Sequence, residues 1–177
     1  MLATIRERIS THRPLPIDCD PSVRSATAAL LFEHDDDVMC VLTRRADTVR
    51  HHKGEVSFPG GMFEDGDENL EHTAFREAYE EIGVRREDVD VIGRLNDSWT
   101  YTGLVISPFV GIIPYPYTFS MNPKEVAYLI FLPYNHLKRV ELAPEQWGQF
   151  HYNGDRIWGA TCRILLQLRD VIENEKI

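Results

Sequence analysis

Apolar residues occur along this chain in short runs, alternating with polar stretches and with Gly- or Pro-rich ones, the pattern of a mixed α/β domain. Ala26 to Phe32 and Val38 to Thr43 are apolar enough for paired strands, and His34-Asp35-Asp36-Asp37 between them suits a turn. Val89 to Leu95, Val105 to Ile113 and Glu125 to Leu132 predict further strands, with Pro114 and Pro116 breaking any regular pattern between the last two. Asn135 to Arg139 suits a short helix. Phe150 to Tyr152 and Arg156 to Trp158 suggest a hairpin around Asn153-Gly154, and Thr161 to Ile172 a closing helix with Leu165, Leu168 and Ile172 on its apolar face. At the other end, Met1 to Ile9 is amphipathic and reads as a short helix packed on the domain rather than an organelle presequence. Thr11 to Pro21, rich in proline, forms an irregular lead-in.

The helical stretch that ends at Gly83 breaks the pattern. With Glu77 as origin and about 100° per residue, Glu81 falls near 40° and Glu80 near −60°. Ala74, Phe75, Ala78, Tyr79 and Ile82 occupy the opposite stripe, which is expected to pack while the carboxylates face outward. Glu77 with Glu80 and Glu77 with Glu81 are like-charge pairs at helical spacing, each costing about 0.2–0.5 kcal/mol, and the helix dipole adds to the penalty at this C-terminal end. A bound cation would offset the cost. Just upstream stands Ser57-Phe58-Pro59-Gly60-Gly61, a turn whose glycines allow close backbone approach, so that a carbonyl there can join the carboxylates as a hard oxygen ligand. Oxygen-only ligation favours Mg²⁺ or Mn²⁺ over zinc.

Composition narrows the classes. The 177 residues are 43% hydrophobic, enough for one domain over 1–177, residues 1–24 being its N-terminal helix and lead-in. A net charge of −9 argues against general nucleic-acid affinity, and no apolar run is long enough to span a bilayer. Cys19, Cys40 and Cys162 are odd in number, far apart and without metal-ligand spacing, which fits a reducing, cytoplasmic compartment. A homodimer is compatible with these features.

Gly61, the acidic loop after it and Arg76-Glu77-Ala78-Tyr79-Glu80-Glu81-Ile82-Gly83-Val84 resemble the Nudix box. The second half matches at every specified position. In the first half, counting back from Arg76 makes Glu68 the loop glutamate, with one residue more than the pattern between it and Gly61. The segment Val41-Leu42-Thr43-Arg44-Arg45-Ala46, then Arg50, Gly54 and Phe58-Pro59-Gly60-Gly61, resembles a second motif carried by the Nudix enzymes that cleave coenzyme A, with only Val41 departing from it. The resemblance implies a Nudix-type α/β/α sandwich with a mixed sheet between helices, and hydrolysis of a diphosphate linkage assisted by Mg²⁺ or Mn²⁺.

By that resemblance Glu77 and Glu81 are the principal metal ligands, Glu80 shares a second ion or its water, the Gly61 carbonyl assists, and Arg76 orients a glutamate. Glu80 is the first choice of general base. Glu125, His51 and His52 are further options that the sequence does not separate. Arg44, Arg45, Arg50 and Lys53 form a cationic segment suited to nucleotide phosphates, and of these Arg45 and Arg50 are assigned to substrate binding together with Gly60 and Gly61. The implied substrate is coenzyme A or a derivative, the implied products 4′-phosphopantetheine and adenosine 3′,5′-bisphosphate. Two alternatives stand beside this one: a Nudix hydrolase of another nucleoside diphosphate derivative such as ADP-ribose, and a non-catalytic nucleotide-binding Nudix module. The second expects a lost metal ligand, whereas Glu77, Glu80 and Glu81 are all retained.

Overall fold

The computed structural model describes residues 1–47, 53–142 and 148–173. Among the described residues four α-helices, α1 (Leu2–Thr11), α2 (Leu70–Ile82), α3 (Tyr134–Leu137) and α4 (Gly159–Glu173), accompany ten strands. The strands are β1 (Arg24–His34), β2 (Asp37–Arg45), β3 (Val56–Ser57), β4 (Gly60–Met62), β5 (Asp90–Arg94), β6 (Ser98–Trp99), β7 (Val105–Ile112), β8 (Val126–Pro133), β9 (Gln149–Tyr152) and β10 (Asp155–Trp158). The first eight form one mixed sheet in which β1 and β7 run parallel and the other pairs antiparallel; β9 and β10 make a separate hairpin.

Alternation along β1 divides the core in two. Ala29 and Leu31 face Ile5 and Ile9 of α1 and Leu165 and Leu168 of α4, whereas Ala26, Ala28, Leu30 and Phe32 face Ala74, Phe75, Ala78 and Ile82 of α2. Helices therefore cover both faces, and the architecture is the α/β/α sandwich anticipated from the sequence. The strands read from apolar runs are present, and the predicted hairpin turns at Asn153 and Gly154, both at positive φ. Three very short strands, β3, β4 and β6, carry no period that a sequence reading can detect.

Two of those short strands build the site. β1 pairs with β2 only near their shared turn, from Leu31 and Cys40 to His34 and Asp37, after which the two strands part. β3 then pairs with β2 and β4 with the first half of β1, Ala26 lying opposite Gly61. The Gly60-Gly61 turn is thereby inserted into the split at the sheet's end.

Candidate functional site: an acidic helix end against a glycine turn

Asn69 caps α2 by accepting a hydrogen bond from the His72 amide at 2.9 Å, and Gly83, in the left-handed region, ends it. Between these limits Ala78 and Ile82 seat the helix on β1, which sets Glu77 and Glu81 against the glycine turn. The fit leaves no spare room. A Cβ on Gly61 would stand 2.3 Å from the Glu77 carboxylate, and one on Gly60 would strike the β1 backbone at the Ala26 carbonyl, also at 2.3 Å.

Flanking bonds from the Ala28 amide to the Pro59 carbonyl and from the Phe63 amide to the Arg24 carbonyl make Ala26 and Gly61 a hydrogen-bonded pair, so one of the two lone pairs of the Gly61 carbonyl is turned into the ladder. The outward groups belong to Gly60, whose N–H donates to Glu81, and to Met62, whose carbonyl accepts from Arg76 at 3.1 Å.

The carboxylate stripe is only partly solvated, a departure from the sequence reading. Glu81 is 3% exposed, and burial pushes its carboxyl up to about 8 despite the opposing pull of Arg45. Burial also raises Glu77, with Arg76 opposing. Glu80 is exposed on its helix face, and Tyr79, expected in the packed stripe, is 58% exposed instead. The helix thus rests on a narrower apolar seam of Ala74, Phe75, Ala78 and Ile82.

Arg76 binds the loop and the acidic helix together. Its Nη1 donates to Glu77 at 2.9 Å and to Glu80 at 3.4 Å, while Nε and Nη2 form a fork on Asp67 at 2.9 and 3.1 Å. Asp67 also accepts from Thr73 Oγ1 at 2.8 Å and from the Glu64 amide at 3.0 Å, and His72 Nδ1 lies 2.9 Å away. The Arg76 fork holds the Asp67 carboxyl well below the usual carboxylate range. Asp67, not the exposed Glu68, therefore fills the loop-acid position. Counting five intervening residues forward from Gly61 would have found it, because the inserted residue lies after this acid.

The cationic segment divides its tasks. Arg45 Nη1 approaches Glu81 at 3.7 Å, whereas Arg44 is turned away and donates to the buried Asp155 of β10 at 2.7 Å. Asp155 also accepts from the Tyr128 hydroxyl, so Arg44 fastens the β9–β10 hairpin and does not reach for substrate. Lys53 is exposed; Arg50, His51 and His52 lie outside the described residues. Glu125 closes the site from the other side. It helps raise both Glu77 and Glu81 electrostatically, and it is held by Asn122, whose side chain donates to it at 2.9 Å and whose amide donates to the Glu81 carbonyl.

Among the described residues no three acidic, histidine or cysteine side chains already converge into a metal cage. The donor set nevertheless fits a hard divalent cation. Five buried side-chain polar atoms among the described residues have no hydrogen-bond partner, and three of them, Glu81 Oε2, Arg45 Nε and Thr27 Oγ1, surround the glycine turn. Such orphans cost about 1–3 kcal/mol each and call for a ligand. Glu77 and Glu81 would supply carboxylate oxygens to the ion, with Glu80 at the solvent side.

A cavity of about 340 Å³ abuts the other side of the turn, with Arg45, Gly60 and Gly61 in its wall. Neither Thr100, Tyr101 and Thr102 of the β6–β7 hairpin nor Trp158 at the end of β10 and Gly159 to Thr161 at the start of α4, all in that wall, was assigned to the site from sequence.

Comparison with known proteins agrees with this geometry. The NUDIX domain model matches residues 22–152. The Nudix hydrolase NudL of Yersinia enterocolitica is 31% identical over 94% of this chain and 91% of its own length; NudL of Cronobacter sakazakii is 37% identical over 72% of each. Among solved structures, a MutT/nudix family protein from Enterococcus faecalis superposes with a TM-score of 0.61 at 14% identity, covering 92% of this chain and 66% of that one. The NUDIX domain of Shewanella oneidensis NrtR, crystallised with ADP ribose, gives 0.54 at 20% identity, covering 79% and 90%. No described helix is long and apolar enough to cross a membrane. The acidic helix, its glycine turn and the matched span together establish that the chain belongs to the Nudix family.

Proposed function

We propose that this Nudix hydrolase cleaves the diphosphate linkage of coenzyme A or its derivatives with Mg²⁺ or Mn²⁺, releasing 4′-phosphopantetheine and adenosine 3′,5′-bisphosphate. One observation carries the reading: Arg45, from the motif that resembles the coenzyme A subgroup, touches Glu81 and also lines the neighbouring cavity, with its Nε unpartnered. It is placed to meet a substrate diphosphate lying between metal and cavity.

A divalent ion bound by Glu77 and Glu81 would shield the diphosphate charge and lower the pKa of a bound water. The chain's own groups do the rest. Arg76 fixes Glu77 and Glu80 in place, and Glu80, exposed and close to the ion's solvent side, is the proposed acceptor of the water proton. Gly60 and Gly61 keep the backbone low enough for phosphate oxygens to approach, and Arg45 and Arg50 are proposed to hold them. We further propose that the protein works in the cytoplasm and as a homodimer.

The test is incubation of purified protein with coenzyme A, NADH, ADP-ribose and a nucleoside triphosphate, with and without Mn²⁺, followed by product identification. Metal-dependent appearance of 4′-phosphopantetheine, at a higher kcat/KM than for the other three, supports the proposal. Preference for ADP-ribose or the triphosphate rejects the substrate, and inertness towards all four in Mn²⁺ rejects the reaction.

A further inference from the structure

The geometry points to the 340 Å³ cavity as the subsite for the uncharged, amide-bearing arm of the substrate, with the phosphorylated nucleoside held outside it. The inference rests on the coenzyme A reading and assigns the two halves of that substrate to opposite sides of the glycine turn. Size comes first. Sites for whole small molecules run from about 300 to 1,000 Å³, so a cavity at the bottom of that range holds one half of a long dinucleotide-sized substrate.

Charge then selects the half. Among the described lining residues only Arg45 and Glu55 are charged, and Arg45 is drawn towards Glu81. A ribose phosphate seated here would find no guanidinium besides Arg45 among the described lining residues, at a desolvation cost that guanidinium forks normally offset. An aliphatic chain carrying amides meets complementary walls instead. Phe58, Leu104 and Ile106 offer apolar surface, and Thr27 Oγ1 is a buried hydroxyl with no partner, suited to an amide. The first turn of α4, at Gly159 to Thr161, adds backbone N–H groups not used within the helix, which suit an amide carbonyl as well.

The walls are fixed rather than improvised. Thr161 Oγ1 donates to the Val56 carbonyl at 3.0 Å, tying α4 to β3, and Arg163 donates to the Trp99 carbonyl, tying α4 to the β6–β7 hairpin. Thr100 closes the hairpin tip by accepting from the Leu104 amide at 2.9 Å. Tyr101 stands at that tip, 87% exposed, where the end of an extended arm would emerge.

The test is titration of 4′-phosphopantetheine and, separately, adenosine 3′,5′-bisphosphate into the full chain with Mg²⁺, for the wild type and for Ile106→Trp, which fills the cavity. Leu104→Trp, on the irregular tip, repeats the measurement where the strand variant misfolds. A fall of about tenfold or more in 4′-phosphopantetheine affinity, with bisphosphate affinity retained and a matching rise in KM for coenzyme A, supports the subsite. A fall in bisphosphate affinity instead, or a wild type that binds no 4′-phosphopantetheine, overturns it. Binding of the arm without coenzyme A turnover removes the proposed reaction and leaves the subsite standing; turnover without arm binding does the reverse.

Discussion

Glu81→Gln isolates the charge at the centre of the site, because it keeps the shape of the side chain and abolishes its titration. In the folded chain burial pushes the Glu81 carboxyl up to about 8 against the pull of Arg45. In the unfolded chain it titrates near the ordinary glutamate value of about 4.3. The folded state therefore binds this proton more tightly, and the metal-free protein loses stability as pH rises from about 4.3 to about 8, the penalty being complete above that. At about 1.4 kcal/mol per unit the ceiling is about 5 kcal/mol, and water entering from the adjoining cleft reduces the expected effect to about 2–3 kcal/mol.

The glutamine variant has no such slope. By urea denaturation in EDTA it is expected to be about 2–3 kcal/mol more stable than wild type near pH 8.5 and equal to it near pH 4.5. Metal narrows that gap. Mn²⁺ at about a hundred times its Kd should stabilise the wild type by about 2.7 kcal/mol and the variant far less, while turnover of the variant falls by orders of magnitude. A variant less stable than wild type at the alkaline pH in EDTA, or one that gains as much from Mn²⁺, refutes the reasoning.

Asp67→Asn breaks a buried fork and should cost about 3–5 kcal/mol by denaturant titration, whereas Glu68→Gln, at an exposed position, should stay within about 0.5 kcal/mol. Equal costs would return the loop-acid role to Glu68. Because Arg76 holds the Asp67 carboxyl low, its stabilising contribution is present above the ordinary Asp range and disappears only as pH falls through that lowered value, so the gap between wild type and Asp67→Asn should be full at neutral pH and shrink in strong acid. Gly61→Ala drives a methyl into the Glu77 carboxylate and should weaken Mn²⁺ binding in a direct titration, while Gly66→Ala, with no atom within 4 Å of its Cβ, should not. Arg45→Ala and Arg50→Ala should lower kcat/KM for coenzyme A more than for ADP-ribose; an unchanged ratio of the two activities would end the phosphate-clamp assignment.

Long apolar runs made the sheet legible. Ala26 to Phe32 and Val105 to Ile112 are buried on both faces, so their composition alone identifies them, and Gly83 marks the helix end by its position. The carboxylates were legible because like charges at helical spacing are costly without a cation. Other features were not, for reasons of scale. β3 and β4 are two and three residues long, too short for any period, and exist only because β1 and β2 part. Asp67 was hidden by a single inserted residue, which makes counting from Gly61 and counting from Arg76 disagree. The depth at which Glu81 sits depends on how closely the glycine turn approaches α2, a tertiary fact.

Arg44 and Arg45 join the fold to the site. As neighbours on a strand they point to opposite faces of the sheet, although in the sequence alone they read as one cationic segment. At this point the pairing of β2 with β8 shifts register, so that Arg44 still faces Tyr128 while Arg45 faces Val126. The unpaired residue is Ala127 of β8, so the bulge bends β8 and leaves the alternation along β2 intact. That alternation sends one guanidinium to Asp155 and the hairpin, the other to Glu81 and the cavity. The first arginine anchors the strand end from which the second must reach, so holding the fold and presenting a charge to substrate are mechanically linked at consecutive residues. The same linkage accounts for the cluster of unpartnered polar atoms: the surrounding ties are strong enough to keep Glu81 Oε2, Arg45 Nε and Thr27 Oγ1 buried without partners, ready for a ligand that satisfies them.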